Sequence, residues 1–168
     1  MAVDSGDCDY TVRVMLRSIA IGGILVCVTI VIHAVGSMVW IGFLTRRFTQ
    51  KDGDWRPRHT IPVLVTTGMV LLMLHVVEVT IWAVTYRALP AITELATMEK
   101  AIYFSMVTFT TLGFGEITLG PEWRLLSSIE AMSGILLFGW TTALLFTVLQ
   151  RTWTWNHGPV TRPSSHGG

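Results

Sequence analysis

The chain has 168 residues, of which 51% are hydrophobic and only 14% charged, and its formal net charge is +1. A soluble domain of this size carries about 25% charged residues, so the composition excludes an ordinary soluble protein. The mean hydropathy of +0.56 points the same way. The length indicates one domain.

Charged residues are nearly absent from three stretches, which cover residues 18–44, 61–86 and 124–150. Each stretch is about 26 residues long, or roughly 40 Å as a helix, which exceeds the ~30 Å of a hydrocarbon core. Backbone groups in lipid must be satisfied within the chain, so we predict three transmembrane helices.

The N-terminal segment, residues 1–17, places Asp4, Asp7 and Asp9 where a secretory signal would be basic. We therefore expect the first stretch to be a retained membrane span rather than a cleaved leader. It is predicted to be a peripheral helix.

Charge asymmetry predicts the orientation. Five basic residues lie in the loop of residues 45–60 that follows the first span: Arg46, Arg47, Lys51, Arg56 and Arg58. By the positive-inside rule this loop is cytoplasmic, and the N-terminus is outside. Arg13 and Arg17 argue weakly for the reverse. The tail, residues 151–168, is then cytoplasmic, and its Pro, Ser and Gly content predicts disorder.

The segment between the second and third spans contains a short apolar run at residues 98–110. At roughly 20 Å this run is too short to span, so it is either a re-entrant or an interfacial helix. It leads directly into Thr111-Leu112-Gly113-Phe114-Gly115. Glycines at alternate positions permit a backbone whose successive carbonyls point the same way. A ring of such carbonyls can replace the hydration shell of a cation, which favours the re-entrant helix and a pore loop.

This pentapeptide resembles Thr-Val-Gly-Tyr-Gly, the selectivity-filter signature of potassium channels. Residues 98–150 resemble the pore helix, filter and inner helix of small bacterial potassium channels, and residues 61–86 correspond to their outer helix. The resemblance implies an all-α membrane protein with three transmembrane helices, a re-entrant pore helix and a filter loop. Residues 61–150 would be the pore module.

The resemblance also implies roles for individual residues. Potassium would be bound by Thr111, Leu112, Gly113 and Phe114, and Gly115 would complete the filter. Filter support is expected from Thr110, Glu116 and Glu130. Gating or cavity roles are expected for Gly134, Phe138, Thr142 and Phe146.

Three positions depart from the family pattern. Leu112 replaces valine, Phe114 replaces tyrosine, and Val107 stands where some bacterial members carry a carboxyl group behind the filter. The side chains at 112 and 114 should point away from the ions, so the carbonyl ring is expected to survive. We expect these departures to affect filter rigidity and inactivation more than selectivity.

Glu130 lies in the outer half of the third span, where an ionisable group should face protein or water. One hypothesis is that it hydrogen-bonds the back of the pore helix or filter. The alternative is a pair with Arg124 or Lys100 near the outer interface.

His33, His75 and Glu78 lie near the middle of the first two spans, and His75 and Glu78 share a helix face. We expect a buried polar network between these spans. A proton sensor that biases gating and a bis-histidine haem or metal site are the alternatives.

Together these features predict a homotetramer in the bacterial inner (plasma) membrane that conducts potassium passively and is not an enzyme. Membrane lipid is the expected surrounding. We expect no cofactor beyond permeant potassium, no nucleic acid and no attached regulatory domain. The competing interpretations are a weakly selective cation channel, a haem protein and a non-conducting subunit that joins other pore chains.

Overall fold

The computed structural model describes residues 5–48, 60–89 and 92–157. These residues form four helices, with no strand among them: α1 at Ser5–Phe48, α2 at Thr60–Ala88, α3 at Met98–Phe109 and α4 at Arg124–His157. The predicted all-α class is confirmed.

Three of the helices are long and apolar enough to cross a membrane, over Val12–Phe48, Thr60–Ala88 and Arg124–Thr152. They correspond to the three predicted spans, and the chain is a multi-pass membrane protein. The fourth, α3, occupies almost the same residues as the run predicted at 98–110.

The first helix is longer than predicted and begins at Ser5 rather than near residue 18. Asp9 and Arg13 form an i,i+4 ion pair at 2.8 Å, which supports a helix locally. Ser18 also donates to the backbone carbonyl of Glu122 at 3.0 Å. Residues 5–17 are therefore a helical extension of the span.

The last helix corrects the prediction of disorder from residue 151, because α4 continues through Arg151 to His157. Thr152 is fully buried and its hydroxyl donates to the carbonyls of Val148 and Leu149. Glycine and proline begin only at Gly158, so nothing in the preceding sequence terminates the helix. Residues 158–168 lie outside the described part of the chain.

The predicted cytoplasmic loop, residues 45–60, is shortened at its start because α1 runs to Phe48. Residues 49–59 lie outside the described ranges.

Apolar packing holds α3 in place between α2 and α4. One buried cluster surrounds α3 with aromatic and aliphatic side chains, among them Trp82, Tyr86, Phe104, Phe109 and Leu137. A second cluster joins α1, α2 and α4 at their opposite ends and includes Leu44, Leu71 and Val148. Burial of apolar surface against α2 and α4 therefore holds α3 in its position.

Small residues bring α1 close to its neighbours. A Cβ atom at Gly22 would lie 2.8 Å from Ile129 on α4, and one at Gly36 would overlap Leu74 on α2. Close approach through small residues is typical of helices packed in membranes. The first span is thus attached to both of the other long helices.

Candidate ion-conduction site

The loop that follows α3 starts from a well-defined helix end. Thr97 caps the N-terminus by accepting from the Lys100 amide at 3.3 Å, and Thr110 caps the C-terminus. The Thr110 hydroxyl donates back to the carbonyl of Met106 at 2.6 Å. This bond directs the Thr110 side chain toward the helix and leaves the next residue as the first of the loop.

Residues with positive φ alternate along the loop with residues whose φ is not positive. The φ angles of Thr111, Gly113 and Gly115 are +60°, +56° and +85°, and Thr111 is the one non-glycine residue with positive φ among the described residues. A Cβ atom at Gly113 would meet no other atom within 4 Å. Glycine is therefore favoured at this position by the backbone conformation rather than by lack of space.

The amide groups at the start of the loop point back to α3. The Thr111 amide donates to the carbonyl of Thr108 at 2.9 Å, and those of Leu112 and Gly113 donate to the carbonyl of Val107 at 3.0 and 3.4 Å. In a trans peptide the carbonyl points opposite to the N–H. The carbonyls of residues 110–112 are accordingly turned away from α3, the orientation that a carbonyl-lined ion path needs.

Two large apolar side chains of the loop are uncovered in the single chain. Leu112 is 62% exposed and Phe114 is 65% exposed. Neither side chain packs into the buried cores of its own chain. An uncovered apolar surface of this kind indicates contact with another molecule.

A hydrogen bond joins the far end of the loop to α3. The Tyr103 hydroxyl donates to the carboxylate of Glu116, the residue directly after Gly115. This bond raises the pKa of Tyr103, because loss of the phenolic proton would place two negative charges together. Glu116 thus links the loop to the helix behind it.

Glu130 lies against α3 and α2, in the first of its two predicted environments, and not beside Arg124 or Lys100. Its side chain is fully buried. Tyr86 donates to Oε2 at 2.7 Å, and Oε1 is hydrogen-bonded to Ser105 on α3. The Ser105 hydroxyl also contacts the carbonyl of Val79 at 3.0 Å. One carboxyl group therefore connects α2, α3 and α4.

Comparison with protein-family models identifies this region. Residues 72–151 match the family model described as an ion channel, and this range contains most of α2, all of α3, the loop and most of α4. Residues 72–151 are an ion channel domain. The match is consistent with the small potassium channel family. No curated protein and no solved structure matches the chain.

The candidate gating residues of the channel domain lie along α4. A Cβ atom at Gly134 would overlap the carbonyl oxygen of Phe109, the last residue of α3. The ring of Phe138 lies one turn further on, with its centroid 5.6 Å from that of Phe109. Thr142 and Phe146 follow at intervals of four residues and are exposed in the single chain. Helix α4 thus touches α3 at Gly134 and leaves Thr142 and Phe146 uncovered.

The predicted polar cluster of the first two spans is assembled around Glu78. His33 and His75 contact opposite oxygens of the Glu78 carboxyl through their Nδ1 atoms, at 2.8 and 2.9 Å. Glu78 and His33 are fully buried, and His75 is 5% exposed. The two imidazole rings are stacked with centroids 5.1 Å apart. The cluster joins α1 to α2.

A threonine of the channel domain's last helix completes this cluster. The Nε2 atoms of His75 and His33 lie 2.9 and 3.3 Å from the hydroxyl oxygen of Thr141. The His75 ring also contacts Phe138 and Phe109, with centroid distances of 4.6 and 5.9 Å. The cluster therefore extends from α1 to the inner helix and the end of α3.

The geometry favours a hydrogen-bonded network over a metal or haem site. One donor atom from each of His33, His75 and Glu78 lies within 4.8 Å of the others, a spacing that a metal ion can also use. All four imidazole nitrogens are already within hydrogen-bonding distance of a partner. Two axial haem ligands face each other across the porphyrin, whereas these rings are stacked with an interplanar angle of 28°.

Four residues of the site were missed by the sequence analysis. Tyr86, Tyr103, Ser105 and Thr141 hydrogen-bond the predicted residues but carry no motif. Ser105 gave one usable signal, since it is the single polar residue on the buried face of α3, among Ala101, Phe104 and Phe109.

Proposed function

We propose that four copies of this chain form a potassium-selective channel whose filter is the segment of residues 111–115. The alternation of backbone handedness at Thr111, Gly113 and Gly115 carries this proposal. Together with the amides turned toward α3, it allows successive carbonyls to face one axis. Rings of backbone carbonyls replace the hydration shell of potassium in such filters.

The tetramer follows from the chemistry of the filter. One chain supplies one loop, and a ring of carbonyls around an ion needs several. The uncovered side chains of Leu112 and Phe114 supply apolar surface for neighbouring subunits. A cavity of about 480 Å³ behind the loop, bordered by Val107, Thr108 and Ile117, offers space that such a neighbour can fill.

Charge supports the orientation in which the filter faces outward. The N-terminal part of α1 contacts Glu122 and Trp123, which follow the loop, so it lies on the filter side. The basic residues Arg46 and Arg47 end α1 on the opposite side, as the positive-inside rule requires for a cytoplasmic face. In a bacterial inner membrane, the acidic outer side would concentrate cations.

The residues behind the filter would keep the loop in its conducting conformation. Glu130 fixes α3 to α2 and α4, and Glu116 ties the end of the loop to Tyr103. Val107 cannot hydrogen-bond through its side chain, so these two carboxyl groups are the ones available for filter support. Potassium would then pass down its gradient, with Thr142 and Phe146 lining the cavity.

Ion flux from liposomes tests the proposal. The protein is reconstituted into potassium-loaded vesicles with sodium outside, and a protonophore with a pH dye reports charge movement. We expect potassium-driven flux that barium blocks. Gly113→Ala should abolish it, because alanine resists a φ of +56°. Gly68→Ala is the matched control, since a Cβ there meets no atom within 4 Å.

The other outcomes separate the competing functions. Equal flux after sodium loading would replace the proposal with a weakly selective cation channel. Absence of flux from well-formed tetramers would indicate a non-conducting subunit. A Soret band in the purified protein would indicate a haem protein.

A further inference from the structure

Four side chains form a closed ring of contacts, which we call the imidazole ring network: His33, Glu78, His75 and Thr141. Its four contacts run from His33 to Glu78, from Glu78 to His75, from His75 to Thr141 and from Thr141 back to His33. Each contact is a hydrogen bond only if a proton lies between its two atoms. Complete closure therefore takes four protons.

The protons available can be counted from the side chains. Thr141 supplies one hydroxyl proton, and each neutral histidine supplies one N–H. An ionised Glu78 supplies none. These three protons leave one contact between two lone pairs, which is unfavourable in a buried site.

We propose that the imidazole ring network is a binding site for one additional proton. With this proton the group of Glu78 and two histidines has no net charge, and all four contacts are hydrogen bonds. Without it, the group carries a net charge of −1 at membrane depth, which is costly. The additional proton resides on an imidazole or on the carboxyl, and the count is the same in both cases.

No other ionisable group compensates the network within the described residues. Helix α1 contributes His33 alone at this depth, since Arg17 and Arg46 lie toward its two ends. Helix α2 contributes His75 and Glu78. Helix α3 contributes Glu99 and Lys100 in its first turn and Tyr103, whose hydroxyl is bonded to Glu116.

Helix α4 contributes the aromatic rings of Phe138 and Trp140 beside the histidines. Its nearest acid is Glu130, eleven residues before Thr141, or about 16 Å along the helix. The net charge of the network is thus set by its own protons.

The position of the network connects proton binding to conduction, a step that rests on the proposed function. Thr141 precedes Thr142, a candidate cavity residue, and His75 touches the rings of Phe138 and Phe109. Loss of the additional proton would remove one of the four bonds of the network that connects α1, α2 and α4 at this level. The packing of the inner helix would then depend on pH.

Glu78→Gln is the matched variant, because glutamine has nearly the same shape as glutamate. Its side-chain amide supplies a donor proton that an ionised carboxylate lacks. The glutamine oxygen accepts from one histidine Nδ1–H, and its amide donates to the other Nδ1. The second histidine then donates through Nε2 to Thr141, which donates to the first. Every contact is a hydrogen bond with two neutral histidines and no additional proton.

Nuclear magnetic resonance of the full chain in lipid counts these protons directly. Nitrogen-15 shifts report which imidazole nitrogens are protonated, and the carbon-13 shift of Glu78 reports whether the carboxyl is. His59, His157 and His166 are replaced by glutamine in both samples to leave the two histidines of interest. We expect three protons on Glu78 and the imidazoles in the otherwise unaltered chain, and two imidazole protons in Glu78→Gln.

Two results would overturn the proposal. One is an ionised Glu78 with two singly protonated imidazoles at neutral pH. The other is a stoichiometric transition metal in the purified protein, because a metal bound to these nitrogens would displace the shared protons. Both are independent of whether the protein conducts potassium.

The coupling to conduction has its own test in the liposome assay. Raising the pH from neutral to alkaline should change potassium flux through the natural sequence by about threefold, the effect of one interhelical hydrogen bond of average strength. Flux through Glu78→Gln should not change over the same range. Equal pH dependence in the two proteins would refute the coupling between the network and conduction. The number of bound protons would still be tested separately by the NMR measurement.

Discussion

Glu78 and Glu130 are both completely buried carboxyl groups, and each belongs to a cluster that joins three helices, yet their partners differ in kind. Glu78 contacts two imidazoles, each of which can carry one or two N–H protons. Glu130 contacts the hydroxyls of Tyr86 and Ser105, each of which carries a single O–H proton. The partners, rather than the burial, distinguish the two sites.

Their positions match this difference. Glu130 lies against α3, the helix that leads into the loop of residues 111–115, where a fixed hydrogen-bond pattern favours a rigid support for the loop. Glu78 lies between α1, α2 and α4, where a shared proton can alter how the helices pack. A membrane carboxyl can thus support a structure or respond to pH, depending on its neighbours.

The largest effect is expected from Glu78→Leu. Two buried imidazoles lose their shared acceptor, and each buried unpaired group costs about 1–3 kcal/mol. We predict a loss of about 3 kcal/mol of stability, measured as a lower melting temperature in detergent.

Glu78→Gln should retain most of that stability because it closes the same contacts. Equal melting temperatures for the leucine variant and the natural sequence would show that the network does not hold the helices together.

A smaller effect is expected from Glu130→Leu, since only the Tyr86 hydroxyl is left without a partner while Ser105 keeps the Val79 carbonyl. We predict a loss of about 2 kcal/mol together with reduced potassium flux, measured by thermal melting and by the liposome assay.

Glu130→Gln, which can accept from Tyr86 and donate to Ser105, should restore stability and flux in part. Normal flux through the leucine variant would refute the supporting role of Glu130.

The smallest effect is expected from removing one hydroxyl group that contacts Glu130. Tyr86→Phe removes one buried bond to Glu130 and should cost about 1 kcal/mol in thermal melting. Tyr103→Phe is the matched control, because its bond to Glu116 is solvent-exposed, and its melting temperature should stay unchanged. A larger loss from Tyr103→Phe would reverse the assigned importance of the two bonds.

Most of the fold was predictable from sequence, because an apolar segment that crosses lipid must satisfy its own backbone groups and therefore forms a helix. Residues 18–44, 61–86 and 124–150 were apolar for longer than a bilayer requires, and each is helical. The helix ends were less predictable. The start of α1 depends on the Asp9–Arg13 pair and on contacts to Glu122 from the other end of the chain.

The site was predictable where charge or glycine stood out in an apolar background. His33, His75, Glu78 and Glu130 were visible for this reason. Thr141 was not, because threonines in these helices commonly bond their own backbone, as Thr142 does to Phe138. Only the packing of α4 against both histidines distinguishes it.

The most direct test of the central claim is the reversal potential of channels in a planar bilayer with potassium on one side and sodium on the other. We expect a large reversal potential with the sign of potassium permeation, which is lost in Gly113→Ala and retained in Gly68→Ala. A reversal potential near zero through the unaltered protein would contradict a potassium-selective filter at residues 111–115.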